Sequence, residues 1–310
     1  MTAYDAHNNI QAFSVYRLDS FKIGTGAYYN YGFSGGDELK AIPNKGTKGV
    51  DGFIGLNILE QGVWSFNNMT GKVIVATTID SIPAARKLYR IPLKKRYDRW
   101  FVSVSIDGIK TEAILDLGYN GSLMLPKKMI AKVKPKHLLT YYGLTNHTLG
   151  GANYDTLKYY HDARLKLGDA GPELENKMTC FSNSELTLLG AGLLSQHYLT
   201  LDLAHNAMYL APLLPGIHNK NRMKTWGLNI NKQGEDWTVT TLLKGSDAEK
   251  KGICIGDKLL SINNKKPVPD DDRLSYKLID EALGSDDTLN LELLRNGTPV
   301  KVVLGDKVEY

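Results

Sequence analysis

The chain has 310 residues, 42% hydrophobic and 23% charged, which is rich enough in apolar side chains for two to three cores and too rich for disorder. Its 38 Lys and Arg exceed its 33 Asp and Glu by only 5, and the basic runs RKLYRIPLKKR and KVKPKH are short and come with no stripe of alternating aromatics and basics. They read as solvated surface, so nucleic-acid binding is not expected, and no stretch approaches the ~18–20 apolar residues of a membrane span.

At the start, MTAYDAHNNIQAF has no charged head, apolar centre or cleavage site, so no signal peptide is expected in this chain. Further on, FIGLNILEQGVWSFNNMTGKVIV, from Phe53, aligns without a gap over 23 residues with LLGAGLLSQHYLTLDLAHNAMYL, from Leu188. Gly55 meets Gly190, Leu59 meets Leu194 and Gln61 meets Gln196. Each copy predicts a glycine, a short helix and a β-hairpin. LDSFKIG, ending at Gly24, likewise matches DARLKLG, ending at Gly168, at an offset of 168 − 24 = 144 residues.

Between the copies lies ILDLGYNGSLMLP, Ile114 to Pro126. It predicts a strand that turns sharply after Asp116. A carboxylate in so apolar a run costs desolvation unless something uses or pairs it. Its counterpart in the first copy falls at 116 − 144 = −28, about 28 residues ahead of Met1. The first copy is therefore expected to hold only its latter part, and Asp116 to lack a partner within this sequence.

After a Pro-, Gly- and Lys-containing linker, LAPLLPGIHNKNRMK, the pattern changes. WGLNI and DWTVTTLL predict strands, GSDAEKKGICIGDKLLSINN a short helix, a glycine turn and a strand, and DDRLSYKLIDEAL a helix. DTLNLELLRNGTPVKVVL predicts a hairpin with its turn at Asn296 and Gly297. Cys180 and Cys254 give neither a disulfide framework nor a metal spacing, and each sits among apolar residues, so both are expected buried. The seven His are scattered without a ligand pair or HExxH pattern, the GTG at Gly24 to Gly26 is too short for a dinucleotide loop, and no GxSxG occurs. No metal and no cofactor are expected.

Three segments in order carry a family resemblance. AILDLG is similar to the Asp-Thr/Ser-Gly turn of a retropepsin-type aspartic protease lobe. TLGGANYDT, about 30 residues later, resembles its flap, and LLGAGLL the segment that packs behind the turn. With the C-terminal pattern, the chain resembles the PDZ-containing aspartyl proteases of bacteria. The fold class this implies is mostly β: pepsin/retropepsin-like acid-protease lobes, the first incomplete at 1–80 and the second at 90–212, followed by a PDZ domain at 222–305.

The resemblance further implies an aspartic endopeptidase in which Asp116 and Gly118 form half of a catalytic dyad and Leu149, Gly150 and Gly151 the tip of the substrate flap. DAHNNIQAFSVYRLDSFKIG would be the flap of the first lobe. Leu117 stands where the family has a hydroxyl, which speaks against catalysis; Asn120 or Ser122 is the candidate replacement contact. In the PDZ pattern, Trp226, Gly227, Leu228 and Asn229 would hold a peptide terminus, or Trp226 would pack on the protease lobe. Leu274 and Leu278 would line a groove or fill the core.

The expected partners are a peptide or protein substrate and a peptide terminus, in an extracytoplasmic setting. The alternative function is a non-catalytic peptide-binding protein using the protease cleft and the PDZ edge strand. A third arrangement is a homodimer that joins two copies of Asp116.

Overall fold

The computed structural model describes residues 2–4, 10–12, 14–35, 54–67, 70–148, 151–194, 197–213, 224–285 and 287–309. It is mostly β, as expected.

The first elements are β1 (Thr2–Tyr4), β2 (Ile10–Ala12), β3 (Ser14–Ile23), β4 (Gly26–Gly35), α1 (Leu56–Leu59), β5 (Val63–Asn67) and β6 (Lys72–Ala76). There follow β7 (Tyr89–Arg96), β8 (Arg99–Ile106), β9 (Ile109–Asp116), β10 (Leu123–Pro126), α2 (Ile130–Val133), β11 (Leu139–Thr148) and β12 (Gly151–Leu167). β13 (Glu173–Ser182), β14 (Leu188–Gly190), β15 (His197–Asp202) and β16 (Ala207–Pro212) complete this region. The C-terminal unit has β17 (Lys224–Thr225), β18 (Leu228–Gln233), β19 (Asp236–Leu243), α3 (Asp247–Lys250) and β20 (Lys258–Ile262). It ends with α4 (Asp272–Gly284), β21 (Leu289–Arg295), β22 (Thr298–Leu304) and β23 (Val308–Glu309).

Both copies of the repeat fold as the sequence predicts. Gly55, α1 and the β5–β6 hairpin match Gly190, a 3-10 turn at Ala191–Leu194 and the β15–β16 hairpin. The two hairpins then pair with each other, giving the strand order β6-β5-β15-β16-β7. At the repeat offset of 188 − 53 = 135, Trp64 corresponds to Leu199, Phe66 to Leu201 and Ser65 to Thr200. In the antiparallel register Trp64 pairs with Leu201, Phe66 with Leu199, and Ser65 with Thr200. A local two-fold rotation therefore exchanges the outer pairs and passes between Ser65 and Thr200. Both on-axis side chains are fully buried, and Thr200 Oγ1 donates to Ser65 Oγ at 2.9 Å.

The alternation of β8, β12 and the β15–β16 hairpin turns apolar residues inward at period two. Val102, Val104, Ile106, Leu165, Leu167, Leu201 and Leu210 thus meet in one core, with Phe181 and Leu189. A second core gathers Trp226, Leu228, Ile230, Val239, Ile262, Ile279 and Leu291 in the C-terminal unit. There, Ser246 caps α3 by accepting from Glu249 N, and Asp271 caps α4 by accepting from Leu274 N. Asn296 and Gly297, at φ 48° and 81°, make the hairpin turn that the Asn-Gly pair predicts.

β3 and β4 form a ribbon of their own, with no other strand beside it among the described residues. At the 144-residue offset β3 corresponds to the second half of β12, and Tyr16 to Tyr160. Tyr160 is 6% exposed, whereas Tyr16 is 51% exposed. β12 and β13 are flanked by β8 and β10, and among the described residues no counterparts of those strands lie beside the ribbon.

Cys180 is buried as expected, but Cys254 is exposed. It lies in the turn between Gly252 and Gly256, where Ile253 points inward and its neighbour therefore points out. Apolar neighbours in sequence did not imply a shared face.

The on-axis pair has a measurable consequence. Thr200→Val should lower stability by about 1–2 kcal/mol, since it strips a buried hydroxyl of its best partner. The double variant with Ser65→Ala should lose less than the sum of the two single losses, by at least about 0.5 kcal/mol. Urea unfolding of the three variants checks both figures.

Candidate functional site

Asp116 is the last residue of β9 and half-buried. β14, three buried residues long, runs parallel to β9 with Asp116 opposite Gly190, and antiparallel to β10 on its other side. The chain leaving β9 must therefore cross the end of β14 to reach β10. It does so through residues 117–122, a loop that straddles the buried strand.

Backbone bonds stitch this loop down. Gly190 N donates to Ser122 O at 2.9 Å, Ala191 N to Tyr119 O at 2.8 Å and Gly192 N to Gly121 O at 3.1 Å. Such proximity leaves no room for side chains at the two glycines. A Cβ on Gly190 would run into the carbonyl oxygens of Gly121 and Tyr119, and one on Gly192 would come 2.5 Å from Asn120 O. The glycines of LLGAG are thus explained by backbone packed on backbone.

The loop holds its carboxylate by local means. Gly118 N donates to Asp116 Oδ1 at 2.9 Å, and Tyr119 N closes the turn onto Asp116 O at 3.1 Å. Asp116 and Gly118 are therefore brought together. Among the described residues, Gly118 N is the one hydrogen-bond donor to this carboxylate, and no second acid bonds it. Leu117 packs against the core. Neither Asn120, which is exposed, nor Ser122, which is buried, bonds Asp116 among the described residues.

Beneath the loop Met124, Leu157, Cys180 and Leu188 form a small apolar cluster with Tyr119 and Tyr159 packed on it. Burial pushes the Cys180 thiol up to about 12, and raises both tyrosine hydroxyls well above their ordinary range. These groups stay protonated at neutral pH and offer no thiolate nucleophile.

The expected flap is a long hairpin. β11 and β12 pair from Leu139 with Tyr159 to Thr148 with Gly151, with an irregularity between Leu144 and Asn146. Gly151 opens β12; Leu149 and Gly150 lie outside the described residues. One feature of the hairpin escaped sequence reasoning: Tyr141, Tyr142 and Gly143 of β11 also pair with Leu243, Leu242 and Thr241 of β19. The available signal was Gly143 itself, since a glycine within a strand often marks close approach of another backbone.

In the C-terminal unit, Trp226 to Asn229 lead from β17 into β18. Gly227 has φ +81°, its N–H donates to Thr225 Oγ1 at 3.1 Å, and its carbonyl accepts from Leu243 N at 2.7 Å. Leu228 points into the core and Asn229 outward. Trp226 is only 2% exposed and packs in this unit's own core, not on the Asp116 region. β18 pairs with β19 along one edge and, among the described residues, with no strand along the other. Lys232 Nζ at its far end donates to Asp272 Oδ1 of α4 at 2.6 Å. On α4, Leu274 is exposed and Leu278 packs partly on the core.

Residues 217–270 match the family model for the PDZ domain. The chain contains a PDZ domain. Its order of strands and helices continues beyond the matched residues through α4 and the β21–β22 hairpin. No curated protein matches. Among solved structures, a retropepsin-like aspartic protease from Rickettsia conorii is similar, at 18% identity and a TM-score of 0.28, over 40% of this chain and 92% of that one. The PDZ domain's β19 is the strand that receives β11.

Two outcomes are expected. Gly190→Ala should cost about 1–3 kcal/mol, because the added methyl meets backbone that cannot swing aside; thermal melting measures this. His161, on β12, is held by burial down to about 4 from its ordinary 6.5. The unfolded chain therefore takes a proton here before the folded one does. Stability should be insensitive to this group above about pH 6.5 and fall as pH drops towards 4. His161→Gln should flatten that slope in melting curves recorded between pH 7.5 and 4.5, as expected from the same linkage.

Proposed function

We propose that the chain is an aspartyl-protease-like protein with a partial lobe at 1–80, a lobe at 90–212 and a PDZ domain at 222–305, and that Asp116 is one of two carboxylates acting on a peptide bond. The observation that carries this reading is the Asp116 turn: a half-buried carboxylate at a strand end, held by Gly118 N, on a loop fixed to Gly190 and Gly192. So much backbone order around one acid makes sense if its position matters.

The chemistry asks for a second acid. Two carboxylates about 3 Å apart cannot both ionise, so one holds a proton and the other activates water. The protonated partner donates to the carbonyl oxygen while the ionised one takes the water proton. The β11–β12 hairpin, with Leu149, Gly150 and Gly151 at its tip, would cover the extended substrate. At the PDZ domain, the backbone of Trp226, Gly227, Leu228 and Asn229 would receive a peptide terminus, and the open edge of β18 would take the peptide as an added strand.

A second reading has its own support. No second acid bonds Asp116 among the described residues, and Leu117 has no hydroxyl to offer across a dyad. On that reading the cleft and the PDZ edge bind peptides without cutting them.

Incubation with an unfolded protein between pH 3.5 and 7 separates the readings. If Asp116 works in a dyad, Asp116→Asn should lower kcat/KM by at least about 100-fold, mostly through kcat. Equal cleavage by both forms removes Asp116 from the mechanism, and no cleavage by either favours the binding protein. Sedimentation at high concentration tests the homodimer route, which a strictly monomeric chain would exclude.

A further inference from the structure

The joint between β11 and β19 is more elaborate than a chance contact of two units. β19 pairs with β20 at Thr238, and Val239 exchanges backbone bonds with Gly256 and Asp257, which leaves Thr240 to Leu243 open to another strand on that edge. β11 fills this edge as an antiparallel strand over Tyr141 to Gly143. Lys244 N donates to Thr140 O at 2.8 Å, and Thr241 Oγ1 to Leu144 O at 2.7 Å. Tyr142 donates its hydroxyl to Glu249 Oε1 at 3.0 Å, while Glu249 Oε2 accepts from Gly245 N at 2.6 Å.

Gly143 makes the approach possible. Its φ of +116° is open to few other residues, and a Cβ there would strike Thr240 O and come 2.8 Å from Ile255 Cδ1.

Thr240 is the extra residue of a β-bulge. Asn229 pairs with Thr241 and Ile230 with Val239, so Thr240 has no opposite number on β18. Its buried Oγ1 accepts from Asn231 Nδ2 at 2.6 Å and donates to Asn229 O at 3.4 Å. The same residue presents its carbonyl to Gly143. One bulged residue is thus bonded by its side chain to the strand with the open edge and has its carbonyl packed against Gly143 of the hairpin.

We propose that the open edge of β18 and the β11–β12 hairpin are linked sites: a peptide terminus seated along β18 tightens the seating of β11 on β19, and a seated hairpin raises the affinity for that terminus. The inference rests on the peptide-binding reading of the PDZ domain given above. A strand added to β18 restrains Asn229 to Asn231, and with them the bulge whose carbonyl shapes the slot for Gly143. Linkage of two binding events is reciprocal, so either side of the joint reports on it.

The full chain tests this with a fluorescein-labelled ten-residue peptide ending in an apolar residue and a free carboxylate. The same peptide with an amidated end is the control. Anisotropy gives its Kd for the native chain, for Gly143→Ala and for Thr241→Val, which removes the bond to Leu144 O at nearly constant shape. Hydrogen exchange reads the β11 amides with and without peptide. The expected result is tighter binding of the carboxylate form, amide exchange at Tyr142 to Leu144 slowed about 5-fold or more by peptide, and affinity weakened about 5-fold or more in both variants. Should Gly143→Ala fail to fold, Thr241→Val decides. Binding that is the same within about 2-fold in the variants, with β11 exchange unmoved, overturns the linkage and leaves the PDZ reading standing. If neither peptide binds the native chain, the PDZ reading falls and the linkage with it.

Discussion

The described fold is organised around one strand pairing. β5 and β15 meet in an antiparallel register that sets equivalent residues of two sequence copies face to face at Ser65 and Thr200. Antiparallel strands exchange under a two-fold rotation, so a duplicated hairpin can pair with its own copy without new side-chain complementarity. The buried hydroxyl pair on the axis satisfies itself, which avoids the cost of an orphaned polar group in the middle of the sheet. From that seam the sheet extends outward through β16 to β7, and from β7 the chain enters the strands that carry Asp116.

Much of this was legible in the sequence because it is encoded locally. The hairpin turns that contain Gly71 at φ 64° and Asn206 at φ 52°, and the Asn296-Gly297 turn, each reflect backbone geometry that few other residues adopt, while Gly190 reflects backbone packed too close for a Cβ. The Asp116 turn was legible from the Gly118 that follows the acid and donates its N–H to the carboxylate. What the pattern did not contain was the meeting of the two copies: the offset of 135 residues told which positions correspond, not that corresponding positions would touch. Nor did it contain the β11–β19 pairing, which is made by backbone groups that every residue carries; Gly143 was its one trace. The exposure of Cys254 was misread because apolar neighbours in a turn alternate between inside and outside.

The PDZ domain occupies a position that its separate core does not require. Its own strands and α4 bury a full set of apolar side chains. Yet β19 gives its spare edge to β11, while β18 keeps an edge open. A sheet with one edge committed and the other available can act as a connector between a hairpin and an incoming chain. The bulge at Thr240 lies where the committed edge begins, and its hydroxyl is shared with β18.

The β3–β4 ribbon carries a different implication. Tyr16, Leu18, Tyr29 and Phe33 are exposed on it, and both of its outer edges lack a neighbouring strand among the described residues. Natural β-proteins blunt such edges with charges, bulges or proline. Here Arg17 reaches across to Asn30, whose φ of 58° bends the strand, and Asp19 and Lys22 are the other charges on the two strands. Left bare in concentrated solution, an aromatic two-stranded arm of this kind is a template for sheet growth, so the colloidal behaviour of the protein will depend on these two ten-residue strands.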